Sequence, residues 1–307
     1  IDAPAPSAGP VVADDGVGAV PLTPAVARLR ERQIDPESLP PRVVRARAAS
    51  SVSVDDVREI AAALVAKHPA LRTTLNRPAP ILWTMTTGAV GDVVLPVTEA
   101  DVEPTDPSAP GVTLVPATGD VIAAFDPVLV DPTSAEILRA DLQTALDDAA
   151  GARHIEFDVP SAGLRTLATA LAAQAADVAG LPHYLETLAP GATLPRVGDE
   201  SASSPCDRAT VTSRIDVDDP SIPAPTRQAL VLAVARATAD VYGSDAPTHL
   251  LIDVALDLRN AEGAGTVGPL QALEPLRVDL ANPSVPDTRA NTTGPCLDVV
   301  RYLSPQV

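Results

Sequence analysis

Asp126-Pro127-Val128-Leu129-Val130-Asp131-Pro132-Thr133-Ser134 stands between an apolar segment and an amphipathic one, and its reading decides the fold. Before it, Val121 to Phe125 is a short apolar run of strand length. After it, Ser134 is placed to cap a helix carrying Ile137, Leu138, Leu142 and Leu146. Strand, tight turn and helix therefore follow in direct succession around Asp131.

Upstream, Arg42 to Ala48 alternates arginine with small apolar residues, as a half-exposed strand does. Ser53-Val54-Asp55-Asp56 has the spacing of a capping box, and Val57, Ile60, Ala61, Leu64 and Val65 continue it as one apolar stripe at helical spacing. Leu71 to Leu75 and Ile81 to Thr86 read as strands split by Asn76-Arg77-Pro78, and Asp92 to Val97 reads as another. Ala25 to Gln33 is a short charged helix, and residues 1–18 have the Pro- and Ala-rich composition of an extended linker. Together with the absence of an initial methionine, this suggests a piece of something longer.

Downstream, a long Ala-rich helix is expected over Ser161 to Ala179, a polar loop over Gly198 to Cys206, and a second helix from Thr226 to Tyr242 with Gly243 as its C′ residue. His249 to Leu258 is the best strand of this half. The domain reading is a first lobe over residues 19–150 and a second, partial lobe over 151–307.

Composition narrows the function classes. Forty acidic residues against 22 basic ones give a net charge of −18, which repels phosphate backbones and anionic lipid heads, so neither nucleic acid nor a membrane surface is an expected partner. The apolar runs are far shorter than the roughly 20 residues that span a bilayer, and the chain reads as soluble and cytoplasmic. Cys206 and Cys296 lack metal-ligand spacing and read as two unpaired thiols, with a disulfide between them as the alternative. With no GxSxG, GxGxxG or phosphate-cradling glycine loop, serine hydrolysis and nucleotide cofactors find no support.

In order along the chain, several segments resemble the signature motifs of the condensation/epimerization superfamily of nonribosomal peptide synthetases. Val20-Pro21-Leu22-Thr23-Pro24 is similar to its opening "plTP", and Lys67-His68-Pro69-Ala70-Leu71-Arg72-Thr73 to "RHxxLRT" with lysine for the first arginine. Asp126 to Ser134 occupies the place of HHxxxDG, and Ile137-Leu138-Arg139-Ala140-Asp141-Leu142 resembles the "ILLEDL" that follows it in epimerization domains. Leu251 to Arg259 looks like a decayed "vdlEgHGR". Gly265-Thr266-Val267-Gly268 with Pro275 to Leu280 resembles "rTVGwFts…PvrLdl", and Val299 to Leu303 the "GYGLLRYL" of the epimerization-like branch.

The resemblance implies an α/β fold of two chloramphenicol-acetyltransferase-like lobes, each a mixed sheet flanked by helices, with the second lobe incomplete at the C-terminus. It implies no directly bound cofactor; substrate arrives on phosphopantetheine delivered by a carrier protein. It also implies that Asp131 is structural, ion-paired with Arg72 or Lys67 of the first lobe, and that His68 is structural.

Epimerization of an aminoacyl thioester needs two groups on opposite faces of Cα, and condensation needs a base for the attacking amine. The family's second histidine and its glutamate fall here on Pro127 and Ala255, which have no acid or base, and Asp126 replaces the first histidine. Proline cannot donate even a backbone hydrogen bond, and loss of a general base costs about 10²–10⁴-fold in rate. Alternation along a strand turns Asp126 away from residue 127 and leaves Asp257, on the same face as Ala255, as the substitute acid. His154, His183 and His249 read as surface or strand positions. The expected role is a catalytically degenerate domain, a spacer or a docking platform for a carrier protein or a tailoring enzyme, as one condensation-like domain of glycopeptide assembly lines recruits oxidases. The competing expectation is an active epimerase or acyl transferase using residues such as Asp257.

Overall fold

The computed structural model describes residues 17–49, 51–102, 109–151, 153–155, 157, 162–175, 227–243 and 249–279. The chain divides into two compact units, Ile1–Val178 with Leu256–Ala272 and Ala179–Ala255 with Leu273–Val307. The boundary drawn at residue 150 is therefore corrected. A helix beyond it and a segment more than a hundred residues later both belong to the first unit, because their apolar side chains complete its core: Leu164, Leu167, Ala168, Val267 and Leu270 are all buried there.

The first unit holds two sheets. In one, β1 (Gly18–Val20) and β3 (Thr73–Ala79) flank β4 (Leu82–Thr87), both antiparallel to it. The other has the order β2 (Arg42–Arg47), β7 (Asp120–Phe125), β6 (Gly111–Val115), β5 (Val97–Glu99), with only the β5/β6 pair parallel. The strand expected over Asp92 to Val97 does not form there: Asp92 to Pro96 are not in a strand, and the strand runs from Val97 to Glu99. A 3₁₀ turn, Pro69–Arg72, replaces the start of the strand expected from Leu71.

Asn76-Arg77-Pro78 does not break the chain as expected: β3 runs through it with a shift in register, and the hairpin turns at Pro80-Ile81. A proline is tolerated because β3 is an edge strand, where one side of the backbone needs no ladder partner. Arg77 helps to hold the strand, bonding Asp35 at 2.9 Å and Glu37 at 2.6 Å with its guanidinium over the Trp83 ring.

Helices α1 (Pro24–Glu31), α2 (Val54–Lys67), α3 (Pro132–Ala150) and α4 (Leu164–Ala175) complete the unit. The capping box of α2 forms as its sequence predicts. Asp56 N–H donates to Ser53 Oγ at 3.1 Å, Ser53 N–H donates to Asp56 Oδ2 at 2.8 Å, and the five stripe residues are all buried. Helix α3 packs on β2, and the Gln143 side chain exchanges hydrogen bonds with the N–H and carbonyl of Arg47 on that edge strand. The shared core includes Phe125, Ile60, Leu64, Met85, Leu138 and Leu142, so aliphatic side chains do most of the filling in a chain that has only two phenylalanines.

In the second unit, α5 (Arg227–Tyr242) packs Val231 and Ala235 with Leu250, Leu276 and Val278. Gly243 follows it at φ +54, the left-handed conformation expected of a C′ glycine. The strands β8 (His249–Asp257) and β9 (Gln271–Asp279) pair in a two-stranded sheet. Linker residues 1–16, His183, Cys206, Cys296 and the Val299 to Leu303 segment lie outside the described residues.

Candidate functional site

The Asp126–Asp131 segment leaves β7 as a tight turn, which corrects the strand alternation assumed for Asp126 and Pro127. Asp126 O accepts from Leu129 N–H at 3.2 Å and from Val130 N–H at 3.0 Å, while its Oδ1 accepts from Val128 N–H at 2.8 Å. Proline at the second position supplies the φ that such a turn needs. Burial pushes the Asp126 carboxyl above the ordinary aspartate range, against the lowering effect of the backbone N–H groups of Val128 and Leu129. The three apolar residues that follow Pro127, Val128 to Val130, are all buried. The turn thus uses the Asp126 carboxylate to shape itself.

Asp131, not Ser134, caps α3: its Oδ1 accepts from Ser134 N–H at 2.7 Å. The correction follows from proline at N1, which places the cap one residue before Pro132. Ser134 is instead buried, its hydroxyl donating to Gly268 O and accepting from Gly268 N–H, both at 2.9 Å.

The ion-pair partner of Asp131 is Arg259, and the expectation of Arg72 or Lys67 is corrected. Arg259 Nη2 lies 3.0 Å from Asp131 Oδ1 and Nη1 lies 3.1 Å from Oδ2, with side-chain exposures of 3% and 6%. Leu270 N–H adds a third kind of donor to Asp131 Oδ2 at 2.9 Å. Arg259 spends its remaining donors on Thr266 O at 2.7 Å, Ser134 Oγ at 2.8 Å, Gly268 O at 3.1 Å and Asp257 Oδ1 at 2.7 Å. A buried pair of this kind is tolerated only when its other donors and acceptors are also met, as they are here. Tight backbone approach closes the same junction: a Cβ on Gly268 would come 2.6 Å from Leu164 Cδ1, and one on Gly263 would come 2.5 Å from Leu167 Cδ1.

Arg72 and Lys67 serve other contacts. Arg72 is buried and reaches Val65 O at 3.1 Å and Gly88 O at 2.5 Å, tying the end of α2 to the end of β4. Lys67 Nζ lies 2.7 Å from Asp141 Oδ2 and over the Phe157 ring, and His68 Nε2 lies 2.8 Å from the same oxygen. Burial lowers the His68 pKa more than Asp141 raises it, so the neutral ring donates its Nε2–H to the carboxylate. For Asp141, burial works upward, but the bonds from His68 and Lys67 outweigh it and the net shift is downward. These contacts join the end of α2 to α3.

Asp257, the substitute acid, is engaged by Arg259 through both Nη1 and the backbone N–H, the latter at 3.2 Å. Ala255 lies on β8 in the second unit, two residues before Asp257. His249 accepts from Arg277 Nη2 across β8 and β9, as a strand position would, and His154 is exposed. Among the described residues, no three or more His, Cys, Asp or Glu side chains converge on a metal position, and no helix is long and apolar enough to cross a membrane. Sequence reasoning missed Arg259 as the partner of Asp131 because it sought that partner in the first lobe. The signal available was the conspicuous arginine that ends the "vdlEgHGR"-like segment.

Among solved structures, the epimerization domain from the third module of tyrocidine synthetase B matches at a TM-score of 0.63 and 14% identity, over 87% of this chain and 69% of that one. The chain has the condensation-domain fold. The X-domain in complex with OxyB from teicoplanin biosynthesis matches it equally well, at 0.63 and 18% identity over 92% and 69%. The first condensation domain of the calcium-dependent antibiotic synthetase gives 0.54 at 12% identity over 86% and 69%. No family model matches the chain, and no curated protein does. The fold expected from the motifs, α/β with chloramphenicol-acetyltransferase-like architecture, is the fold observed.

Proposed function

We propose that this chain is a catalytically degenerate condensation/epimerization-like domain of a nonribosomal peptide synthetase, acting as a spacer or as a docking platform. The observation that carries this reading is the contrast within a single junction. Asp131 and Arg259 hold the scaffold with the guanidinium's donors met, while the two histidine positions beside them contain Asp126, bonded into its own turn, and Pro127, which has no acid or base. Asp257 does not restore the chemistry, because its carboxylate is engaged by the Arg259 guanidinium at 2.7 Å and by the Arg259 backbone N–H at 3.2 Å.

The partners that fit this role are a carrier protein, bringing phosphopantetheine-bound substrate, and a tailoring enzyme, in a cytoplasmic assembly line. Similarity to an X-domain solved in complex with OxyB supports the tailoring-enzyme partner. The test is Cα deuterium exchange in D₂O with an aminoacyl-phosphopantetheine carrier, run with the wild-type domain and with Asp257→Asn. Both proteins are expected to match the domain-free background. Exchange above background in the wild type that Asp257→Asn abolishes would establish the active-enzyme alternative.

A further inference from the structure

We propose that Arg42 is an oxyanion-binding position of the first unit, holding a carboxylate or phosphate group close to the Asp126–Asp131 turn. Arg42 opens β2 and is paired in register with Phe125, the residue immediately before that turn. It shares its face of the sheet with Val44 and Ala46, both buried. The side chain thus lies at the end of an apolar layer. Among the described residues its Nε is buried without a hydrogen-bond partner, and the residue as a whole is half-buried.

A guanidinium stays ionised, so its buried N–H cannot be relieved by losing a proton. A scarcity of carboxylates does not explain the missing partner, since acidic residues outnumber basic ones 40 to 22. Other arginines of this unit have found theirs: Arg47 holds Asp120, Arg139 holds Glu136 and Arg153 holds Asp148. A buried, permanently charged donor left open in such a chain is met by an acceptor from outside, and the planar fork of arginine matches the two oxygens of a carboxylate or phosphate.

The test uses the whole chain labelled at the arginine Nε, with the Arg42 Nε–H resonance followed by NMR. Inorganic phosphate and acetate are titrated separately at constant ionic strength, with chloride as the control. The expected result is a saturable shift of this resonance with at least one of the two anions and none with chloride. Saturation by phosphate alone assigns a phosphate ligand, and saturation by acetate alone a carboxylate. Arg42→Gln should weaken the binding by about ten-fold or more, the loss of one charged hydrogen bond. A shift that is linear and equal for all three anions overturns the proposal. That readout comes from the wild-type protein, so it stands even where the variant folds poorly. It needs no carrier protein and so fails or succeeds independently of the synthetase reading.

Discussion

Arg259 grips Asp131 through two guanidinium nitrogens, at 3.0 and 3.1 Å, although 128 residues separate the two in the chain. This pair fixes the cap of α3 and the loop after β8 in one arrangement. Removing one partner leaves the other charge buried alone, so Arg259→Gln is expected to destabilise the first unit by about 3–5 kcal/mol. Urea denaturation followed by circular dichroism measures this as a lower midpoint. An unchanged midpoint would show that the pair is not needed to hold the junction.

Gly268→Ala is expected to cost about 1–3 kcal/mol by overpacking. The new methyl would meet Leu164 Cδ1, and Leu164 is fully buried and has nowhere to go. In the double variant with Leu164→Ala, the cost of the added methyl should fall markedly, giving a non-additive cycle. Full additivity would show that the two positions do not touch.

His68 gives the stability a pH dependence of definite sign. Burial puts its folded pKa below its unfolded value, so its contribution is complete above the unfolded pKa of about 6.5 and is lost as pH falls through the folded value. Imidazole resonances followed by NMR should show His68 titrating below the ordinary histidine value of about 6.5. A His68 pKa above that value would contradict the buried neutral ring.

Asp126 has the opposite sign. Its folded pKa is raised, so the stability it contributes is present below the unfolded aspartate value and is lost as pH rises through the folded one. Asp126→Asn keeps an oxygen for Val128 N–H and removes the buried charge. The variant should therefore be at least as stable as the wild type at pH 7, with its advantage shrinking towards pH 4. A variant that is less stable at pH 7 would show that the charge itself holds the turn.

Much of the first unit was legible because its signals are local. The capping box at Ser53, the stripe from Val57 to Val65 and the apolar run of β7 each announce themselves within a few residues. What sequence left out was set by long-range contacts. Pro78 reads as a breaker until β3 is seen to lie at a sheet edge, and Arg259 reads as part of the second half until its loop is found against α3 and α4. Strand alternation carried one step past Phe125 fails at Asp126 and Pro127, because the chain already turns there and Val128 to Val130 are buried without belonging to a sheet.

The distance along the chain between Asp131 and Arg259 also sets an order of events during synthesis. A ribosome adding about 5–20 residues per second needs roughly 6–25 s after Asp131 to reach Arg259. Once α3 and α4 have been made within that interval, α3 can form its cap, but the carboxylate beneath it has no cation and the groove for Gly263 and Gly268 beside Leu167 and Leu164 stands open to water. The first unit is therefore not finished first: its nascent form must be kept from aggregating until much of the second has also been made.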